Sequence, residues 1–211
     1  MRVIAIDGPA GSGKSTVAKA VAERVGLEYL DTGAMYRAVT FAALRRGVDI
    51  DDAERIGRLA ADVELGFHPD GTVLVDGFDA TIEIRGPEVT RAVSIVAANP
   101  GVRVEMRQRQ RDWAAKHGGG VMEGRDIGTV VFPDAELKVY LDARPEVRAA
   151  RRSKEVSDLS YETVAADLAR RDALDQGRAA DPLREANDAV VLDTSDLTVD
   201  QIVEAVLGCL R

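Results

Sequence analysis

Apolar residues recur along this chain in two alternating rhythms, and the change from one to the other marks the elements. Val3 to Ile6 is a short unbroken apolar run, the pattern of a strand buried on both faces of a parallel sheet. From Lys14 onward Val17, Ala18, Val21, Ala22 and Val25 return at helical spacing, and Gly26 supplies a left-handed stop. A second strand is predicted near Tyr29 and Leu30, with Thr32 as the cap of a helix over about 34–46. Residues 63–84 then change character. ELGF, TVLV and ATIEI alternate, with the turn sequences HPDG and DGFD between them, so this stretch predicts a small inserted antiparallel meander.

Helical spacing resumes over about 88–99 and 101–116, the latter closed by Gly118-Gly119-Gly120. Further strands are predicted over 120–122, in LKVYLDA (Leu137 to Ala143) and in AVVLDTS (Ala189 to Ser195). Helices follow from Pro145, over about 161–174, and after Thr198, which forms a capping box with Gln201. Strands alternating with helices predict an α/β fold, a parallel sheet flanked by helices on both faces. At 211 residues the chain suffices for one such core with a small appended lobe.

The first strand and first helix are joined by GPAGSGKST (Gly8 to Thr16). Gly8, Gly13, Lys14 and Ser15 satisfy G-x-x-x-x-G-K-[ST], and the strand-to-helix setting is the one in which that motif cradles phosphate. Glycines let the backbone curl so that successive N–H groups point at phosphate oxygens, and the helix start adds partial positive charge. The candidate donor site is therefore Gly8, Pro9, Ala10, Gly11, Ser12, Gly13, Lys14, Ser15 and Thr16, holding a nucleoside triphosphate. Lys14 would reach the β- and γ-phosphates, and the Ser15 hydroxyl would ligate Mg²⁺.

Net charge narrows the partners. With 28 Lys and Arg against 36 Asp and Glu the chain carries −8, which disfavours a general polyanion surface and hence nucleic acid. The basic helix around Arg103, Arg107, Arg109, Arg111 and Lys116 is interrupted by Glu105 and Asp112. No run of about 18 apolar residues is present to span a bilayer, and Met1-Arg2 leads into a strand where a leader sequence would stand. The expectation is a cytoplasmic monomer with no membrane partner. Cys209, the only cysteine, lies among Val206, Leu207 and Leu210 and reads as a packed thiol.

A phosphate loop alone names no reaction. No N-K-x-D or T-K-x-D element for guanine and no LSGGQ-like signature occurs. Arg37, Arg103, Arg125, Arg171 and Arg178 would each singly suit a solvated salt bridge. Combined with the loop they suit a kinase whose acceptor is itself anionic, because phosphoryl transfer between two anions needs forks that neutralise both. The second ionisation of a phosphate monoester lies near pH 6, so such an acceptor needs no protein base. Kinases for shikimate, gluconate or UMP remain open on these grounds, as does a nucleotide-sensing module that forms no product.

Four segments together carry a resemblance: GPAGSGKST, DTGAMYR (Asp31 to Arg37), EGRDIGTVVFPDA (Glu123 to Ala135) and RRDALDQGR (Arg170 to Arg178). In order and spacing they resemble the motifs of the bacterial cytidylate kinases, over essentially the whole chain. EGRDIGTVVFPDA is the most specific of the four. The resemblance implies a P-loop core, a monophosphate-binding lobe at about 34–118 that closes over the acceptor, and a lid at about 148–160. It implies transfer of the γ-phosphoryl group of ATP to CMP or dCMP. By motif position Arg37, Arg125 and Arg171 would grip the acceptor phosphate, and Thr32 would fall where the family places a small hydroxyl beside the CMP. Ser94, Arg103 and Asp126 would read the base, and Asp175 with Arg178 the sugar. Arg148, Arg151 and Arg152 would form a transition-state clamp in the lid, or else a solvated basic face balanced by Glu146, Glu155 and Asp158.

The base assignment has its own chemical sense, since cytosine offers an exocyclic amine to a carboxylate where uracil presents a carbonyl. Asp126 has two alternatives, pairing with Arg125 or capping the next segment. The chain departs from the family at Glu123, where many members carry aspartate, and in a slightly short segment between Arg152 and Arg171.

Overall fold

The computed structural model describes residues 1–155 and 159–210. Val156, Ser157 and Asp158, in the middle of the expected lid, lie outside the described residues. The chain divides into two units. A core takes Met1–Leu30, Ala114–Gly177 and the residues from Asp181 on; a second unit takes Asp31–Trp113 and Arg178–Ala180.

In the core, β1 (Arg2–Asp7) leads through the glycine loop into α1 (Lys14–Val25), and Gly26 ends that helix in the left-handed conformation, as its position predicts. β2 (Tyr29–Asp31) follows. The second unit begins with α2 (Thr32–Arg45) and α3 (Ala53–Asp62). The short strands β3 (Leu65–Phe67), β4 (Val73–Val75) and β5 (Phe78–Asp79) come next, then α4 (Pro87–Ala98) and α5 (Pro100–His117). The chain returns to the core as β6 (Gly119–Gly124), a π-helical turn over Ile127–Val131, and β7 (Leu137–Asp142). It closes with α6 (Pro145–Glu155), α7 (Tyr161–Gly177), β8 (Val190–Asp193) and α8 (Val199–Gly208).

The five-stranded sheet runs β2-β6-β1-β7-β8. β1 is parallel to both neighbours, with Asp7 level with Gly124 of β6 and Tyr140 of β7. β7 and β8 are parallel as well. This is the predicted α/β class. Ile4, Ile6, Val121, Val139 and Leu141 of the strands pack with Val17 and Val21 of α1 and Ile202 and Val206 of α8. Burying each such side chain stabilises the fold by about 1.5–3 kcal/mol. The register gathers the carboxyl ends of the interior strands β1 and β6, and with them the glycine loop and the EGRDIG segment, at one end of the sheet, where α/β sheets place their ligands.

Three local expectations are corrected. Asp31, not Thr32, caps α2: its extended backbone lets the carboxylate accept from Ala34 N at 2.9 Å, while Thr32 is already in the first turn. The third meander strand is Phe78–Asp79 and not ATIEI. Asp76 and Gly77, both at positive φ, make a two-residue hairpin turn that pairs Val75 with Phe78. The Asp79 carboxylate then accepts from Thr81 N at 3.0 Å and from its hydroxyl at 2.6 Å, which turns the chain into a 3-10 turn at Glu83–Arg85. Finally, α3 has no counterpart among the predicted elements. Gly57 interrupts its apolar stripe of Ile56, Leu59 and Ala60 without breaking the helix, and it faces Gly101 of α5, where a Cβ would stand 3.1 Å from the Gly57 Cα. The paired glycines lie where α3 and α5 approach closely.

Candidate phosphate-binding site

Gly8 turns the chain out of β1 at φ 147°, where a Cβ would stand 2.0 Å from the Leu141 carbonyl, so no larger residue fits. Gly11 and Gly13 also take positive φ. α1 then starts with neither a side-chain cap nor an acidic residue in its first turn. Its first N–H groups and the positive end of the helix are left for an external anion. Ser12 is buried, and its hydroxyl has no hydrogen-bond partner among the described residues. Ser15 is exposed in the first turn of α1.

Lys14 is buried and donates to the Pro9 carbonyl at 2.8 Å. Burial, then repulsion from Arg125, pulls its pKa down to about 7, against the attraction of Glu123 and Asp7. Asp7, at the end of β1, accepts from Ile127 N at 2.9 Å and Gly128 N at 2.8 Å. Burial outweighs those bonds and pushes its carboxyl up to about 6. These two contacts fix EGRDIG against the loop. Asp126, buried, starts the π-helical turn through its carbonyl, which accepts from Val130 N and Val131 N; its side chain does not cap that turn.

Arg125 donates from Nε to Asp175 Oδ2 at 2.8 Å. Arg171 is drawn down to about 10 by burial and by the Arg125 charge, and its buried Nε has no hydrogen-bond partner among the described residues. Glu123 accepts from the Tyr29 hydroxyl at 2.6 Å. The core thus brings Lys14, Arg125 and Arg171 within electrostatic reach of one another, with Asp175 on Arg125.

The three arginines of α6 part company. Arg148 bonds to Asp172, to the Ala143 carbonyl at 3.0 Å and to the Ala10 carbonyl at 3.2 Å. Arg151 bonds to Thr194 at 2.9 Å. Arg152 turns to Glu155 at 2.6 Å, and its charge also helps to lower Arg171.

The second unit is built around its own arginines. Thr32 is buried at the start of α2, and one turn on Arg37 donates to the Ile84 carbonyl at 3.1 Å and the Thr90 hydroxyl at 2.9 Å. Ser94 is buried on α4. Arg103 on α5 is 1% exposed, donates to the Ala97 carbonyl at 3.3 Å and lies 5.7 Å over the Tyr36 ring. A guanidinium is buried to that degree only where its donors are met. Arg178 belongs to this unit through the short segment Arg178–Ala180. Among the described residues no cluster of three acidic, histidine or cysteine side chains is arranged to hold a metal, and no helix is long and apolar enough to cross a membrane.

Sequence reasoning passed over Asp7, Tyr29, Asp172 and Thr194. Asp7 had a legible sign, a carboxylate ending an apolar strand directly before the glycine loop. The others meet their partners only through the fold.

The cytidylate kinase family model matches residues 4–211. The chain belongs to the cytidylate kinase family. It is 50% identical over 217 residues to the cytidylate kinase of Mycolicibacterium paratuberculosis, covering 99% of this chain and 95% of that one. It is 53% identical over 213 residues to that of Geobacillus kaustophilus, covering 97% and 94%. A crystal structure from Thermus thermophilus, 21% identical, aligns over 100% of this chain and 98% of its own with a TM-score of 0.51 and shares the fold. Members of the family are nucleoside monophosphate kinases, and the four motifs read from the sequence all lie within the matched span.

Proposed function

We propose that this chain transfers the γ-phosphoryl group of ATP to CMP and to dCMP, by direct in-line displacement, giving ADP and the pyrimidine diphosphate. The observation that carries the reading is the cluster of Lys14, Arg125 and Arg171 in the core, where burial first and repulsion from Arg125 second depress Lys14 and Arg171, so that a bound anion would favour their charged forms. Binding of phosphate there exchanges mutual repulsion for attraction in a site of low dielectric.

In this reading Gly8 to Thr16 cradle the triphosphate. Lys14 leaves the Pro9 carbonyl for the β- and γ-phosphates. The Ser15 hydroxyl, a hard oxygen donor beside the cradle, suits a Mg²⁺ ion that keeps most of its ligands as phosphate and water. Bound there, the ion would neutralise charge on the transferring group. Arg125 and Arg171 from the core and Arg37 from the second unit are assigned to the acceptor phosphate, which attacks as its dianion without a protein base. Ser94, Arg103 and Asp126 read the base, Asp126 by accepting from the exocyclic amine of cytosine. Thr32 is assigned a place beside the CMP, and Asp175 and Arg178 hold the sugar; Asp175 must then share its carboxylate with Arg125. Arg152 serves the lid at about 148–160, to which the resemblance also assigns Arg148, and residues 34–118 serve as the acceptor lobe, in a monomer acting on small nucleotides and not on nucleic acid or membrane.

Product analysis with ATP, Mg²⁺ and each nucleoside monophosphate in turn tests this. CDP and dCDP are expected, with UMP a poor acceptor. ATP consumption with no diphosphate formed from either cytidine monophosphate would overturn the reading.

A further inference from the structure

The glycine loop is held from behind by residues far away in the chain. Thr194, directly after β8, is fully buried. Its hydroxyl lies 3.1 Å from the Ser12 carbonyl and 2.9 Å from the Asp142 carbonyl, and accepts from Arg151 Nη1 at 2.9 Å. A hydroxyl has one proton to give. The Asp142 carbonyl already accepts from Thr194 N at 2.8 Å, whereas the Ser12 carbonyl otherwise has only the longer contact from Arg151 Nη1, at 3.4 Å, among the bonds described. The proton therefore completes the Ser12 carbonyl. Arg151 is itself fixed by a second bond, Nη2 to the Thr194 carbonyl at 2.5 Å. One helical turn earlier Arg148 donates to the Ala10 carbonyl at 3.2 Å and is fixed by Asp172 and the Ala143 carbonyl. Gly11 packs so closely here that a Cβ would stand 2.9 Å from the Arg148 carbonyl.

The two held carbonyls belong to alternate peptides of the loop. The described residues have no cis peptide bonds, so in each planar peptide of the loop the N–H points opposite to the C=O. A carbonyl tied back toward α6 and β8 directs the following N–H, of Gly11 and of Gly13, the other way. We infer that Thr194, Arg151 and Arg148 are positioning residues for the donor phosphates: by holding the Ala10 and Ser12 carbonyls they aim the Gly11 and Gly13 amides into the cradle. They act through the loop backbone and not by touching the transferring group. Two of the three α6 arginines are thereby taken out of the clamp that the family resemblance implies, which leaves Arg152 for that part. The inference rests on the reading of the loop as the donor site.

Such amides stabilise an anion only when preorganised, since a loop free to rotate its peptides must be ordered by the ligand. The test is calorimetric titration of ATP and of CMP, each alone, into wild type, Thr194→Val and Thr194→Ser. Thr194→Val keeps the side-chain shape and removes the hydroxyl. It should weaken ATP binding about tenfold and leave CMP binding within about twofold, and Thr194→Ser should restore ATP binding. Unchanged ATP binding in Thr194→Val, equal losses for ATP and CMP, or failure of the serine to restore would each overturn the inference. Should Thr194→Val not fold, Arg151→Met, a change at a half-buried residue, carries the same expectation and the same refutation. A wild-type protein that binds CMP and not ATP would instead overturn the reading of the loop.

Discussion

Two lysines of the core are buried to a similar degree, and they are treated in opposite ways. Lys138 on β7, 8% exposed, is gripped by both carboxylate oxygens of Asp188 at 2.9 and 2.8 Å. Lys14 in the loop, 6% exposed, is given a backbone carbonyl and the company of Arg125 and Arg171. At the β7 seam the fold supplies the counter-charge itself. At the loop it supplies a carbonyl and more positive charge, and the cost of burying the ammonium shows as a pKa near 7. A buried ammonium bonded to a carbonyl, with Glu123 and Asp7 acting on it only at a distance, suits an anionic ligand better than one already gripped by a carboxylate, and the comparison distinguishes the two lysines without reference to motif.

The contrast is broken most directly by removing each lysine in turn. Lys14→Met should lower kcat by about 10²–10³-fold in a coupled assay, the range found when one preorganised charge donor is deleted. Lys138→Met should leave kcat within about twofold and move the melting temperature by only a few degrees. Equal losses of activity would erase the distinction.

Next in size is Arg125→Ala. It removes the assigned acceptor contact, so turnover and CMP affinity should fall together by about 10²-fold while ATP affinity is retained. Phosphorylation of CMP at the wild-type rate would refute the assignment.

The pH dependence sharpens the comparison on a smaller scale. Between about pH 7 and 10.5 Lys14 is neutral in the ligand-free fold and charged when unfolded, so its contribution makes stability rise with pH across that window. Asp7 works on the acid side. Its carboxyl holds a proton in the fold up to about pH 6 that the unfolded chain has released by 3.8, so stability falls with rising pH between those values. The triphosphate needs the charged lysine, and ATP affinity should weaken above pH 7 by up to about tenfold per unit. Titrations of ATP at about pH 6.5, 7.5 and 8.5 check this. A slope that persists in Lys14→Met would assign it to another group.

The smallest effect expected is for Tyr29→Phe, which removes the 2.6 Å bond to Glu123. Activity should fall only a few-fold, with the loss read as a higher Mg²⁺ requirement if Glu123 orders water around the ion. An unchanged Mg²⁺ profile would leave the pair a packing feature of β2 and β6.

Much of this site was legible before any coordinates. The loop is contiguous, its glycines and lysine occupy fixed offsets, and the strand and helix on either side have unmistakable rhythms. The motif segments likewise named Arg125 and Arg171, which the core brings near Lys14. What stayed hidden was local in two cases and long-range in the rest. Asp31 and Thr32 are adjacent capping residues, and only the backbone angles choose between them. ATIEI has a strand's alternation, but the Asp79 to Thr81 bonds fold it into a turn. α3 was concealed by Gly57, whose reason lies at Gly101.

The amino-acid order by itself determined that a loop of the phosphate-binding pattern joins a buried strand to a helix, and it made the chain's later arginines candidates for holding an anionic acceptor. Those conclusions depend on residues a few positions apart, where covalent geometry and helical or strand period decide what can meet. Only the tertiary structure decided which charges are matched. Whether Lys14 meets a carboxylate, which carboxylates Arg125 and Arg148 take, and that Thr194 reaches back 182 residues to the loop depend on how strands order in a sheet. That order is set by burial of the whole apolar core, a sum over many distant pairs that no short stretch of sequence contains.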